Sequence, residues 1–242
     1  MSAYTLCALS FKTSSCYETN LQTLLTLIKQ TPDNSLIVAP EVCLSGFDYE
    51  NLQSVCDFAS HAIEEIQKVS QNKIIVLTLI EKREGEVFNF AKIFHNKNIV
   101  HERSKAKLFR FGDEHKYFSE GDATKVEIVE IDGIKIGLLI CFELRFKILW
   151  QQLEGSDVIV IPSWWGEIRS AHFKTLTNAL ALMNQCFVIA SDSANDKCTK
   201  LSGIINPQGE ELRNGNSPCL ELEYNKKEIS LMRRYMNVGI DG

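Results

Sequence analysis

The feature that most restricts the fold is a series of short, unbroken apolar runs, each just long enough for a buried strand. Leu36-Ile-Val-Ala-Pro40 passes directly into Glu41, Ile136-Gly-Leu-Leu-Ile140 passes directly into Cys141, and Asp157 to Ile161 closes on Pro162. Runs this short fit strands better than buried helices, which need roughly ten or more residues. Other stretches carry apolar residues at helical spacing: Leu21, Leu24, Leu25 and Ile28; Phe58, Ala62, Ile66 and Val69; Phe173, Leu176, Leu180 and Met183. Ser15 and Glu18 have capping-box spacing at the first of these helices. Strands are expected from about Tyr4 to Ser10, Lys73 to Ile80, Val87 to His95, Ile99 to Leu108, Phe187 to Ser191, Gly203 to Asn206 and Cys219 to Glu223. Val126 to Ile131 and Ile134 to Ile140 read as a hairpin around Asp132-Gly133, and a helix is expected over Leu144 to Leu153. Strands mixed with helices and hairpins predict an α/β fold, with one mixed sheet or two packed sheets and helices outside. No linker or repeat interrupts the chain, so one domain is expected over residues 1–242.

Composition removes several functions. Lys plus Arg number 26 against 31 Asp plus Glu, a net charge of −5, which disfavours nucleic-acid or anionic-membrane partners. The densest basic stretch, Lys226 to Arg234, reads as one exposed helix face. The longest uncharged run, Thr175 to Ser191, contains Asn178, Asn184 and Gln185 and is too short and polar for a membrane span. Met1 to Ser10 has neither a basic region nor a long apolar core, so no secretory leader is expected. The eight cysteines are scattered with no C-x-x-C pair, which points to reduced thiols and a cytoplasmic location.

The chain has no dinucleotide-binding glycine fingerprint, Walker loop, serine elbow or histidine-based zinc motif. What remains are polar residues at the ends of apolar strands, where α/β sheets collect ligands. Cys141 follows one such strand at an expected helix start, where backbone N–H groups and the helix dipole favour thiolate; by position alone, a packed core cysteine is the commoner occupant. Glu41 fits a buried general base or a loop cap. Lys105 and Lys107 alternate on the expected Ile99–Leu108 strand and share a face, so spacing does not choose between them. In both cases a solubilising edge role is the plainer reading.

Taken together, these segments resemble the nitrilase, or carbon–nitrogen hydrolase, superfamily. Ala39-Pro-Glu-Val-Cys-Leu-Ser-Gly-Phe47, Ser104-Lys-Ala-Lys-Leu-Phe109, Asp113-Glu-His-Lys-Tyr-Phe118, Leu139-Ile-Cys-Phe-Glu-Leu-Arg-Phe146 and Gly203-Ile-Ile-Asn-Pro-Gln-Gly-Glu210 stand in the family's order. Leu108 and Phe109 anchor the lysine match, which gives Lys105 the family's catalytic position and sets Lys107 where the family has histidine. Residues 107–115 look most like the bacterial omega-amidase branch. Two departures are Lys147, where proline is usual, and Leu180-Ala-Leu-Met-Asn184, which lacks the family's Arg and Glu.

The resemblance implies a four-layer α-β-β-α sandwich, often a homodimer or higher homo-oligomer, acting on a small-molecule amide with water and requiring no metal or organic cofactor. It implies Cys141 as nucleophile, Glu41 as general base, Lys105 with the backbone N–H of Phe142 as oxyanion donors, and Glu114 as a second carboxylate. Trp164 and Trp165 follow a buried strand and fit either the pocket, with Trp164 taken as a substrate-side residue, or a dimer interface or helix contact; Arg145 fits a ligand for a substrate carboxylate or, as the favoured reading, a structural ion pair. Hydrolysis of 2-oxoglutaramate is the narrowest activity implied. Deaminated-glutathione amidase and N-carbamoyl amidohydrolase activities are alternatives. A catalytically silent binding protein, or a thiol redox role pairing Cys141 with Cys43, would be a different class of function.

Overall fold

The computed structural model describes residues 4–214 and 217–240. The expected domain limits at 1 and 242, and the first three residues of the leader reading, lie outside the described residues. The first half of the chain forms β1 (Thr5–Leu9), α1 (Tyr17–Gln30), β2 (Ser35–Val38), α2 (Leu52–Val69), β3 (Lys73–Arg83), β4 (Glu86–His95) and β5 (Asn98–Ser104). The second half forms β6 (Val129–Ile131), β7 (Ile134–Leu138), α3 (Lys147–Gln152), β8 (Val158–Ser163), α4 (Ser170–Asn184), β9 (Phe187–Asp192), β10 (Gly203–Ile205), β11 (Glu211–Arg213), β12 (Cys219–Glu223) and α5 (Lys226–Tyr235).

The strands build two six-stranded sheets, ordered β12-β1-β2-β3-β4-β5 and β11-β10-β9-β8-β7-β6. Each has a parallel centre (β1, β2 and β3; β7, β8 and β9) extended by antiparallel strands. Strand periodicity sorts the first sheet's side chains between two cores. Leu6, Ala8, Leu36, Val38, Ile74 and Val76 join residues of the second sheet in the central core. Cys7, Leu9, Ile37, Ala39, Ile75 and Leu77 instead meet Leu21, Leu24, Leu25 and Ile28 of α1 and Ala62 and Ile66 of α2. Each fully buried leucine or isoleucine here contributes about 1.5–3 kcal/mol of transfer free energy. On the far side, α4 buries Phe173, Leu180 and Ala181 against the second sheet. The layering is the expected α-β-β-α sandwich, with two mixed sheets flanked by helices.

The structure differs from the sequence expectations at instructive places. Helix α1 is entered through Cys16 without a side-chain cap, and Ser14 Oγ rather than Ser15 receives the Cys16 N–H. The expected helix over Leu144–Leu153 is split into a 3-10 turn, Cys141–Arg145, and the short α3. Met183 is exposed, because α4 turns Phe173, Thr177, Leu180, Ala181 and Asn184 inward. Arg233, read as part of an exposed face, is buried and donates to the Ser156 carbonyl. The strands expected over Lys73–Ile80 and Val87–His95 run on to Arg83 and start at Glu86, leaving only the Glu84-Gly85 bend between them, both residues at positive φ. The Asp132-Gly133 hairpin turn has φ of 51° and 79°, the left-handed pair that a two-residue turn requires.

Candidate active site

Three parallel strands deliver the site. Glu41 follows β2, Cys141 follows β7, and Trp164 follows β8. The two sheets are tied at this end by the Glu41 N–H donating to the Ser163 carbonyl at 3.2 Å. The chain then turns sharply just after Glu41 and at Cys141 itself. Val42 has φ 41° and Cys141 has φ 46°, left-handed conformations that typically cost about 1–3 kcal/mol for residues with a β-carbon. The Val42 strain is held by its N–H donating to Thr78 Oγ1 at 2.6 Å and by its carbonyl accepting from Gly46 at 2.7 Å.

Lys105 reaches the site because β5 stops early. The strand was expected to run to Leu108, with Lys105 and Lys107 on one face, yet it ends at Ser104. The Lys105 N–H still pairs with the Asn89 carbonyl at 2.8 Å, but the Ala106 N–H is taken at 2.6 Å by the Glu143 carboxylate, which diverts the chain. Lys105 is then fully buried, whereas Lys107 sits half-buried over the Phe146 ring. The close approach of Gly121, whose N–H donates to the Lys105 carbonyl, leaves no room for a side chain there. A β-carbon on Gly121 would lie 2.3 Å from Ser104 Oγ and 2.6 Å from the Ser104 carbonyl oxygen.

The buried charges form one network. Lys105 Nζ donates to Glu41 Oε1 at 2.7 Å and to Glu114 Oε1 at 2.8 Å. Asn89 Nδ2 donates to Glu41 Oε1 at 2.9 Å, and the Phe109 N–H donates to Glu114 Oε2 at 3.0 Å. Glu41 Oε2 makes no hydrogen bond among the described residues, and the nearby Cys141 thiol helps Lys105 hold the Glu41 charge against burial. Cys141 Sγ also lies 3.8 Å from the Trp164 carbonyl oxygen. Thus Glu41, Lys105, Glu114 and Cys141, separated by up to 100 positions in sequence, meet in one buried cluster.

Electrostatics set the resting protonation. Burial raises the Glu41 pKa, opposed by Lys105 and reinforced by Glu114. Burial pulls the Lys105 ammonium down, but Glu41 and Glu114 outweigh it and hold the pKa above its ordinary value. Burial and the Glu41 charge push the Cys141 thiol well up, only partly offset by Lys105. The helix-dipole argument for a resting thiolate is therefore overturned. The turn after Cys141 is a five-residue 3-10 segment, and desolvation beside a carboxylate keeps the proton on sulfur.

A second buried pair supports the first. Glu143 accepts Arg103 Nη1 at 3.0 Å and Nη2 at 2.6 Å, together with the N–H of Ile140 at 2.7 Å and of Ala106 at 2.6 Å. One carboxylate thereby fixes the residue before the cysteine and the residue after the lysine. Asp192, at the end of β9, accepts the Trp165 N–H at 2.8 Å and the Thr199 hydroxyl at 2.6 Å; burial raises its pKa to about 6. Sequence reasoning missed Asn89, Thr78, Arg103, Glu143 and Asp192. The one visible signal was Asn89, a polar residue inside the apolar run Val87 to Ala91.

Cys141 opens onto a small, solvent-connected cleft lined by Phe109, Phe142, Trp164, Trp165, Arg145 and Arg169. Phe142 and Trp164, both candidates from sequence, are on this wall. Trp165 serves both roles considered for it, lining the cleft and packing on Phe173 at 5.4 Å between ring centres. Arg145 makes no ion pair with a carboxylate among the described residues, contrary to expectation. It lies 4.7 Å from the Trp165 ring centre, and its Nη2 is 3.0 Å from His172 Nδ1. Cys43 is packed in the helix-side core of the first sheet and Cys141 in the central core, and all described cysteines are free. Among the described residues, no helix is long and apolar enough to cross a membrane.

The carbon-nitrogen hydrolase family profile matches residues 7–217. A 2-oxoglutaramate amidase of Bacillus subtilis is 30% identical over 198 residues, covering 77% of this chain and 76% of its own. A deaminated glutathione amidase of Escherichia coli O157:H7 is 27% identical over 212 residues, covering 82% of this chain and 81% of its own. Among solved structures, Saccharomyces cerevisiae Nit3, of the nitrilase superfamily, superposes with a TM-score of 0.87 at 20% identity, covering 98% of this chain and 95% of its own. XC1258 of Xanthomonas campestris, a CN-hydrolase superfamily protein, gives 0.86 at 22% identity, covering 100% and 98%.

Proposed function

The chain belongs to the carbon-nitrogen hydrolase family, and from that premise we propose that it is an amidase cleaving a small, linear, non-peptide amide through a Cys141 thioester. The observation that carries the reading is the burial of one thiol, two carboxylates and one ammonium in contact at the foot of a small cleft. Glu41 removes the thiol proton as sulfur attacks the amide carbon. Its raised pKa makes it a stronger base than an exposed carboxylate. Lys105 spends two of its three N–H bonds on carboxylates, which leaves one for the oxyanion. The N–H of Phe142, in the first turn of a helical segment, supplies a second donor. Donors of this type are worth about 3–4 kcal/mol each in other acyl-transfer enzymes. The proton on Glu41 passes to the departing nitrogen, the C–N bond breaks and ammonia leaves. Glu41 then takes a proton from water as its oxygen attacks the thioester carbon; the acid is released and the thiol restored. Glu114 holds Lys105 from the side opposite Glu41, and Trp164 forms the wall beside the acyl group.

For substrate, the reading is 2-oxoglutaramate, supported by the Bacillus subtilis relative's name. Deaminated glutathione is the second reading, favoured by the Escherichia coli relative. The working form is taken to be a cytoplasmic homodimer or higher homo-oligomer. The reduced cysteines are consistent with that compartment, and the exposed Phe111, Ile168 and Met183 with a partner surface. The experiment is ammonia release from a panel of small ω-amides and carbamoyl compounds, with Cys141→Ala as blank. The expected result is turnover by the wild type alone, with a trapped acyl group located on Cys141 by mass spectrometry. Turnover retained by Cys141→Ala would falsify the nucleophile assignment.

A further inference from the structure

Away from the reaction site, two thiols and a carboxylate gather at one edge of the first sheet. Strand β12 pairs with β1 in antiparallel register, with Cys7 opposite Glu221 and Leu9 opposite Cys219. Cys7 and Cys219 therefore stand diagonally on the helix-side face, where Cys7 is fully buried and Cys219 packs half-buried against the same core. Glu221 is exposed beside them. The donor atoms of Cys7, Cys219 and Glu221 all lie within 4.8 Å of one another, the sole such trio of metal-ligating side chains among the described residues. Their present hydrogen bonds are long and weak. Cys7 Sγ lies 3.9 Å from the Thr5 carbonyl oxygen, and Cys219 Sγ lies 3.8 Å from the Leu220 carbonyl oxygen and 3.9 Å from Glu221 Oε1. Cys141 sits in the central core, on the other face of this sheet, and the proposed reaction uses none of the three groups.

Geometry separates two chemistries open to such a pair. A disulfide needs its α-carbons about 4.4–6.8 Å apart. Diagonal partners across antiparallel strands stand about 7–8 Å apart, so a bridge would strain β1 against β12. Two sulfurs on one zinc ion, at about 2.3 Å each in a tetrahedron, stand about 3.8 Å apart. These thiols reach that spacing by closing at most about 1 Å. The carboxylate adds a third donor, which a disulfide would not use.

We propose that Cys7, Cys219 and Glu221 form a structural binding site for a borderline-soft divalent cation of the zinc type. Two thiolates select against magnesium and calcium, which take oxygen ligands, whereas zinc accepts sulfur and carboxylate together. Binding replaces two S–H bonds with two metal–sulfur bonds, and both protons pass to solvent. The two thiolates balance the charge of the ion, and Glu221 leaves one negative charge over. Lys73, whose ammonium donates to the Ile28 and Thr31 carbonyls at 2.8 and 2.6 Å, is near enough to Cys7 to offset it. Burial grades outward from Cys7 through Cys219 to Glu221, which gives the ion a path from solvent and a fourth position for water. Strand β12 is an edge strand, paired only with β1 among the described residues. An edge held on one side opens more readily than the sheet centre, and the ion staples it to β1.

The test titrates the reduced, metal-stripped protein with zinc against a chromophoric chelator, in wild type, Cys219→Ser, Cys7→Ala and Glu221→Gln. The wild type should bind one zinc ion that either cysteine variant holds at least about tenfold more weakly, with a smaller loss in Glu221→Gln. Cobalt in place of zinc should give thiolate-to-metal charge-transfer absorption that Cys219→Ser loses. Zinc should raise the melting temperature of the wild type and leave that of Cys219→Ser where it is. Cys16→Ser, which removes an exposed thiol elsewhere, should behave as the wild type does. Cys219 is only half-buried, so its serine variant decides the matter even where Cys7→Ala fails to fold. These readouts are of binding and stand whether or not an amide is turned over. Zinc held equally well by wild type and Cys219→Ser, or a cobalt spectrum without the thiolate band, would overturn the site. A Cys7–Cys219 disulfide formed in air, with no zinc bound after its reduction, would overturn it in favour of a redox pair.

Discussion

Substitution of Arg103 by methionine tests whether the buried Arg103–Glu143 pair organises the site. Arg103 is 3% exposed and Glu143 is 0% exposed. Methionine fills much of the same volume but removes both guanidinium contacts to Glu143 and the donation to the Leu138 carbonyl at 2.8 Å. Leaving one member of a buried pair without its partner costs about 3–5 kcal/mol. Glu143 would still accept the N–H groups of Ile140 and Ala106, which keeps part of its charge stabilised and places the loss near the lower end, about 3 kcal/mol. Urea unfolding followed by tryptophan fluorescence reads this directly. With a slope near 1–3 kcal/mol per molar urea, the midpoint should fall by about 1 M or more. The double variant Arg103→Met/Glu143→Gln should be less damaged than additivity requires, because the orphaned charge is gone while an amide oxygen remains to accept backbone N–H. Ammonia release should also fall in Arg103→Met, since the flanks of Cys141 and Lys105 share this anchor. A midpoint shift below about 0.3 M, with activity intact, would refute the assignment of organising weight to the pair.

Lys105→Met should abolish turnover, because it removes the ammonium between two buried carboxylates, whereas Lys107→Met, which loses a half-buried cation over Phe146, should reduce it only modestly; loss in the Lys107 variant alone in the ammonia assay would show the wrong lysine was chosen. Asp192 has its pKa raised to about 6 by burial against an unfolded value near 4, so the folded state holds its proton more tightly and stability contributed by this group is full below pH 4 and is lost as pH rises through about 6. Its size is about 2–3 kcal/mol, and Asp192→Asn should flatten that slope in denaturation curves measured between pH 4 and 7; an unaltered slope would remove Asp192 as its source. Gly121→Ala should destabilise by about 1–3 kcal/mol and lower turnover, since its methyl would meet the Ser104 backbone that leads into Lys105; a fully stable, fully active variant in paired melting and ammonia assays would contradict the close approach.

The parts of this molecule legible in sequence are those fixed by local order. Glu41 and Cys141 could be picked out because each directly follows an apolar run, and the ends of parallel strands are where such folds place chemistry. The sandwich followed from strand and helix periodicities, and its inner and outer faces separate as alternation requires. Lys105 could not be separated from Lys107 by periodicity, because the interaction that ends β5 comes from Glu143, far along the chain. The Arg103–Glu143 pair spans 40 positions and the Asn89 contact to Glu41 spans 48, so no local pattern encodes them. The protonation of Cys141 was misjudged for the same reason. A helix start could be read from sequence, but the burial and the neighbouring carboxylate that outweigh it exist only after folding.

The retained thiol proton also bears on how the protein survives between turnovers. Peroxides and alkylating reagents attack sulfur chiefly as the anion. In the proposed mechanism, a sulfur that becomes anionic only as a carbonyl carbon arrives is dormant toward such reagents, so delaying nucleophilicity until a reactant is seated would also spare Cys141 from oxidative wear.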